Sequence, residues 1–161
     1  TGLWHERQSL DSATQKEWRA NCHAFFNNKH YVGDYNSGKI YELDPETYDE
    51  NGSAITRTRI TAPLAGRDNN WIHLNRLEID FETGTSADAS DIDVILELSV
   101  DGGRTYGTDL TRTISTASGD DLRAIWDRLG AYRNVTFKLT TTETQRVVVL
   151  GAHLLGMAQE E

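Results

Sequence analysis

The chain has 161 residues, 37% of them hydrophobic and 25% charged, and a formal net charge of −9. That length holds one ordinary domain, or a domain plus part of another, and it buries enough surface to need no covalent staple. The acidic balance excludes broad, sequence-independent binding to nucleic acid, which requires clustered Lys and Arg. Cys22 is alone, so no internal disulfide forms, and a single thiol suits assembly in a reducing cytoplasm. No apolar run reaches the length of a helical membrane span, and no stretch reads as a secretory leader. Thr1 opens the chain and Met157 is its only methionine, so a removed initiator and a piece of a longer polypeptide both stay open.

From the first residue, "GLWHERQS" (2–9) and "NCHAFFNN" (21–28) each predict a short strand. "KHYVGDYNSGKIYELD" (29–44) predicts two more, with Tyr31, Ile40, Tyr41 and Leu43 as β-prone bulk and "YNSG" (35–38) as the turn. Three or four short strands with aromatic and Gly-Asp punctuation predict a propeller-blade-like β-meander over residues 1–54. A single blade cannot bury its faces without neighbours. "DPETYDENGSA" (44–54), dense in acids and turn formers, marks the boundary to a second domain over 55–161.

Past the boundary the two-residue alternation sharpens. "ITRTRIT" (55–61) is a β-branched run that ends before Pro63. In "NRLEIDFET" (75–83), Leu77, Ile79 and Phe81 alternate with Glu78, Asp80 and Glu82, predicting a half-buried strand with a wet acidic face. "DIDVILELSV" (91–100) repeats the pattern through Ile92, Val94, Leu96, Leu98 and Val100. "LTRTIST" (110–116), "VTFKLTT" (135–141) and "RVVVLGAHLL" (146–155) complete about six strands, which predicts an all-β antiparallel sandwich rather than a βαβ fold. One segment is ambiguous. Leu122, Ile125, Trp126 and Leu129 fall at helical spacing, with Ser118, Asp120 or Asp121 to cap the start and Gly130 to end it. A strand there needs Leu122, Ala124 and Trp126 on one face, and pattern alone favours the helix.

Few residues carry candidate chemistry. "SVDGGRTY" (99–106) has the Ser-x-Asp-x-Gly-x-Thr-aromatic form of the Asp box of propeller glycosidases, where it supports the fold without touching substrate. Ser99, Asp101, Gly103, Thr105 and Tyr106 are therefore read as a structural turn: the carboxylate and hydroxyls bond nearby amides, the glycines take positive φ, and Tyr106 packs back. His5, His23, His30, His73 and His153 share no metal-ligand spacing with each other or with Cys22. Cys22 and His23, adjacent on a strand, would face opposite sides and form no nucleophile–base pair; Cys22 reads as a small buried residue. The pairs Asp80/Glu82 and Asp91/Asp93, with Asp120 and Asp121, read as solvated acidic faces that keep sheet edges apart. "GDYNSGK" (33–39) lacks the spacing of a phosphate-binding loop. No catalytic, cofactor or metal residue is assigned.

"GLWHERQS", "WRANCHAFFNNKHYVGDYNSGKIYELDPETYDENG", "DGGRTY", "IWDRLGAYRNVTFKL" and "VVVLGAHL" occur in this order over nearly the whole chain. In that order they resemble the C-terminal part of the phage stabilisation proteins, the tail accessory or hub proteins of short-tailed bacteriophages. The resemblance implies a non-enzymatic virion component, assembled in the bacterial host cytoplasm and present in several copies as a ring around the tail axis. It would close the portal channel after DNA packaging, with the portal or its adaptor ring, the tail needle and the tailspike as neighbours. It implies no membrane, no cofactor and no sequence-specific nucleic-acid binding. It also implies that residues 1–54 end a larger propeller and precede a jelly-roll-like C-terminal sandwich. Trp126, Arg128, Leu129, Gly130, Arg133 and Phe137 match a family stretch that is extended, which turns 122–129 to a strand. Tyr106 stands where the family often has Trp.

Two rivals belong to other classes. A carbohydrate-binding β-sandwich module would use Trp71 and Tyr106 as sugar platforms. A glycoside hydrolase fragment would need several blades, a tyrosine nucleophile beside a carboxylate, and an arginine cluster.

Overall fold

The computed structural model describes residues 7–11, 14–82, 91–115 and 122–158. Among these the chain is all-β, built from antiparallel strands with one short 3-10 turn at Arg67–Asn69. It divides into two compact units, Thr1–Ile55 and Thr56–Glu161.

In the first unit β1 (Gln8–Asp11) pairs with β2 (Thr14–Glu17), and β3 (Ala20–Phe26), β4 (Lys29–Asp34) and β5 (Ile40–Leu43) form a meander in that order. Of the strand expected over 2–9, residues 2–6 lie outside the described residues, and β1 begins at Gln8. Each turn has a local cause. Asn27 and Asn28, at φ 49° and 60°, close β3 onto β4 with Phe26 opposite Lys29. Asparagine enters this left-handed region more readily than most residues because its short amide can bond locally. Between β4 and β5 the Asp34 carboxylate accepts from Ser37 Oγ at 2.6 Å and from the Asn36 amide at 2.7 Å. Those two bonds hold its carboxyl below the usual carboxylate range. β6 (Asp49–Glu50) turns through Asn51 and Gly52 into β7 (Ser53–Ile60), which continues into the second unit.

Cys22 is exposed, against the expectation of a buried thiol. The reason is its position on β3, an edge strand, opposite Gly33. Glycine offers no side chain to cover the sulfur, which fills the space where a Cβ at residue 33 would stand.

In the second unit follow β8 (Leu64–Ala65), β9 (Ile72–Phe81), β10 (Ile92–Ser99), β11 (Leu110–Ile114), β12 (Arg123–Tyr132), β13 (Asn134–Glu143) and β14 (Val149–Ala158). One sheet runs β11-β10-β13-β7, with β8 also pairing β13; the other runs β12-β9-β14. Alternation turns one side of each strand inward. Val94, Leu96, Val135 and Phe137 from the first sheet meet Leu77, Ile79, Phe81 and Trp126 from the second in one apolar core. Each such side chain contributes about 1.5–3 kcal/mol by leaving water, which is why strands with this spacing settle as two packed layers.

The ambiguous segment is a strand, and a β-bulge explains why it reads as a helix. Asp127 opposes Arg76 and Gly130 opposes Leu74, so Arg128 and Leu129 on β12 face the single residue Asn75 on β9. Leu122, Ala124 and Trp126 point inward at even positions, and after the bulge the inward residue is Leu129. The slip places Trp126 and Leu129 three apart, the spacing of a helix face. Arg128 sits at φ 57° and Gly130 at φ 103°. A Cβ on Gly130 would lie 3.1 Å from the Tyr132 hydroxyl, which itself donates to Leu129 O at 2.7 Å. The proposed caps Ser118, Asp120 and Asp121 lie outside the described residues.

Candidate functional site

The octet at 99–106 follows directly on the end of β10. Ser99 Oγ donates to Asp101 Oδ1 at 2.7 Å and accepts the Gly103 amide at 2.8 Å. Asp101 Oδ1 also accepts the Arg104 and Thr105 amides, both at 2.9 Å, and Oδ2 accepts Thr105 Oγ1 at 2.6 Å. The Gly107 amide then returns to Leu98 O at 2.9 Å, closing the loop. The Thr105 hydroxyl, its amide and Ser99 together drive the Asp101 carboxyl far below the usual carboxylate range. Carboxylate oxygens that accept this many donors are committed to backbone, and a deeply depressed acid cannot deliver a proton near neutrality. Gly103, at φ 89°, leaves 3.1 Å between a would-be Cβ and the Tyr106 hydroxyl. The Tyr106 ring packs back with Lys138 Nζ 4.8 Å from its centroid, and Lys138 pairs with Glu97 at 2.7 Å.

An open cleft of about 540 Å³ lies beside this turn, lined among others by Tyr106, Arg112, Trp126, Asp127, Arg128 and Tyr132. An aromatic hydroxyl, a carboxylate and arginines thus do meet, and three of these groups are engaged in structure. Tyr132 bonds Leu129 O, and Arg112 Nε donates to Ile125 O at 2.8 Å. Asp127 holds Arg76 Nε at 2.6 Å. Among the described residues that line the cleft Asp127 is the one carboxylate, whereas a glycosidase of the usual kind works with two flanking the bond. Trp126 Nε1 donates to Leu110 O at 2.7 Å and, with Arg112, ties β12 of one sheet to β11 of the other.

Each aromatic platform of the carbohydrate reading has a cation against its ring, although Trp71 stays exposed. Arg133 stands 5.3 Å from the Trp71 ring centroid, and Tyr106 lies under Lys138. Of the acidic pairs, Asp91 and Asp93 precede and enter β10; Asp93 accepts Thr113 Oγ1 at 2.6 Å from the neighbouring β11. Glu82 pairs with Arg146 at 3.0 Å.

Three features were not foreseen from the spacing of residues. The outer face of the β12-β9-β14 sheet is an ionic lattice rather than an acidic face. Arg123 Nε meets Asp80 at 2.6 Å, Arg76 meets both Asp127 and Glu78, and His153 Nε2 lies 3.2 Å from Asp80. The Arg123 hydrogen bond is the main cause that lowers the Asp80 carboxyl below its ordinary value. β14 is an edge strand whose Leu150, Leu155 and Met157 are each more than 60% exposed. The third is a pair of histidines. His23 Nε2 and His30 Nδ1 are 2.9 Å apart with rings stacked at 5.1 Å between centroids, although seven residues separate them in sequence. The signal that could have found it was "NN" (27–28), a two-residue turn that brings flanking positions face to face.

No helix among the described residues is long and apolar enough to cross a membrane. Residues 57–155 match the sequence model of a family described as Bacteriophage P22 Gp10, beta-sandwich. None of the curated proteins matches the chain.

Proposed function

Because this chain belongs to the bacteriophage P22 Gp10 beta-sandwich family, of structural phage tail proteins, we propose that it acts as a tail accessory or hub factor that closes the portal channel and holds packaged DNA. The observation that carries this reading is the family match over 57–155, which spans the sandwich from within β7 into β14. Its placement is in the virion, after assembly in the host cytoplasm. Copies arranged as a ring would dock the portal or adaptor ring, the tail needle and the tailspike.

Two physical features support a role in binding proteins rather than in turnover. The Asp101 carboxylate and the Ser99 and Thr105 hydroxyls are spent on their own turn. Among the described residues β14 is an edge strand with exposed apolar side chains, the kind of strand that natural proteins usually protect unless another chain covers it. The first unit carries Phe25, Phe26 and Ile40 largely exposed on a three-stranded meander. That pattern supports a blade of a larger propeller whose neighbours would cover those side chains. The charge of −9 supports a channel lining that repels phosphate and lets DNA leave without sticking.

The test is a phage in which the gene for this protein carries a premature stop. Capsids that fill with DNA and then lose it, with retention restored by supplying the protein, are the expected result. Mutant particles that keep their DNA and still lack infectivity would reject channel closure. A fluorogenic sialoside should show no turnover with the purified chain, and a glycan array should show no binding that Trp71→Ala removes.

A further inference from the structure

We propose that His23 and His30 form a surface site for a borderline divalent transition-metal ion: zinc, nickel or copper. The spacing of the five histidines predicted no such site, and folding creates it. His23 opposes Val32 and His30 opposes Phe25 in the β3–β4 ladder, so the two histidines are diagonal neighbours on one face of the hairpin. Their facing nitrogens, Nε2 and Nδ1, stand 2.9 Å apart. An ion bound to imidazole at about 2.0–2.1 Å holds two adjacent ligands about 2.9–3.4 Å apart for angles between roughly 90° and 110°. The ligand nitrogens are therefore already at coordination distance from one another, and a bound ion would take the place of the hydrogen bond they share.

Several further facts favour occupation. Both rings are exposed, so an ion reaches them directly. The Phe25 ring packs against the His30 ring, 4.8 Å away between centroids. Once the shared hydrogen bond is given up, two neutral rings need lose no net proton: each carries its one proton on the far nitrogen, His23 Nδ1 and His30 Nε2, while the facing nitrogens bind. Imidazole nitrogen selects zinc, nickel and copper over magnesium and calcium, which prefer oxygen. Among the described residues no group of three or more His, Cys, Asp or Glu side chains could hold an ion. The described residues thus supply two ligands, and further ligands would complete the coordination.

The test uses the untagged chain titrated with zinc chloride, nickel chloride and copper chloride in a non-coordinating buffer at neutral pH, followed by calorimetry. Saturable binding of at least one of these ions is expected, weakened at least tenfold by either His23→Gln or His30→Gln and unchanged by His153→Gln. Magnesium chloride should produce no binding. Far-UV circular dichroism checks that the variants stay folded. If they do not, ring proton resonances of the unmodified chain decide: His23 and His30 should shift together at substoichiometric ion. No saturable binding, or binding that survives either substitution at full strength in a folded variant, would overturn the proposal, as would shifts confined to other histidines.

Discussion

Replacing Trp126 by phenylalanine tests whether the two sheets are joined where the structure joins them. The indole is 1% exposed, and its N–H is the donor that reaches Leu110 O at 2.7 Å across the sandwich. Phenylalanine keeps an aromatic ring in the core and deletes that donor. Leaving a carbonyl without its partner costs about 1–3 kcal/mol. The smaller ring adds about 1 kcal/mol if roughly 40 Å³ stays unfilled, at about 24 cal/mol per Å³. The sum is about 2–4 kcal/mol, a midpoint about 1–2 M lower in urea for a slope of about 2 kcal/mol per M. Far-UV circular dichroism reads the transition without depending on the lost tryptophan fluorescence. Trp71→Phe is the control: that residue is 44% exposed and Arg133 stands against its ring, so the loss should stay within about 1 kcal/mol. A Trp126→Phe midpoint equal to that of the unmodified chain would refute the bridging role and the burial argument behind it.

Gly103→Ala should destabilise the second unit more than Gly102→Ala in thermal melts. Both residues have positive φ, which costs about 1–2 kcal/mol for a residue with a Cβ, but only Gly103 also faces the Tyr106 hydroxyl. Acid should weaken the fold through Asp101 and Asp80, whose folded carboxyls lie below their ordinary values. Groups shifted this way contribute stability that is complete above the unfolded carboxylate value of about 4 and lost as pH falls toward the folded values. Urea midpoints should hold from pH 7 to about 5 and drop below about 4, and Asp101→Asn should flatten that drop while lowering stability at pH 7. Arg128→Gly should leave the midpoint unchanged or raise it by up to about 1 kcal/mol, because glycine relieves the left-handed backbone of the bulge. Arg128→Val should lower it, since a β-branched side chain tolerates that backbone least; equal midpoints for the two variants would contradict the bulge assignment.

Strand content was legible because alternation is local: Leu77, Ile79 and Phe81 declare which face of β9 is buried without reference to any partner strand. The hydrogen bonds inside the octet at 99–106 are local in the same way. Its donors and acceptors lie within four residues of one another, so spacing alone determines the turn. The stretch around Trp126 misled on pattern alone because a bulge shifts the phase of burial, and a bulge exists only against a neighbouring strand. The family resemblance, with its extended counterpart, corrected what periodicity could not.

What the amino-acid order determined by itself was thus the class of the chain: strands, their inward faces, their turns and the acidic charge. Tertiary structure alone decided the pairings. It set Arg123 against Asp80 across 43 residues, brought His23 to His30, and left Leu150, Leu155 and Met157 on an open edge. Cysteine 22 makes the same point, since its exposure follows from the glycine opposite it and not from its neighbours in sequence. Side-chain direction along a strand is a property of one chain segment, whereas register and edge position belong to the sheet and appear only when segments distant in sequence have been hydrogen-bonded side by side.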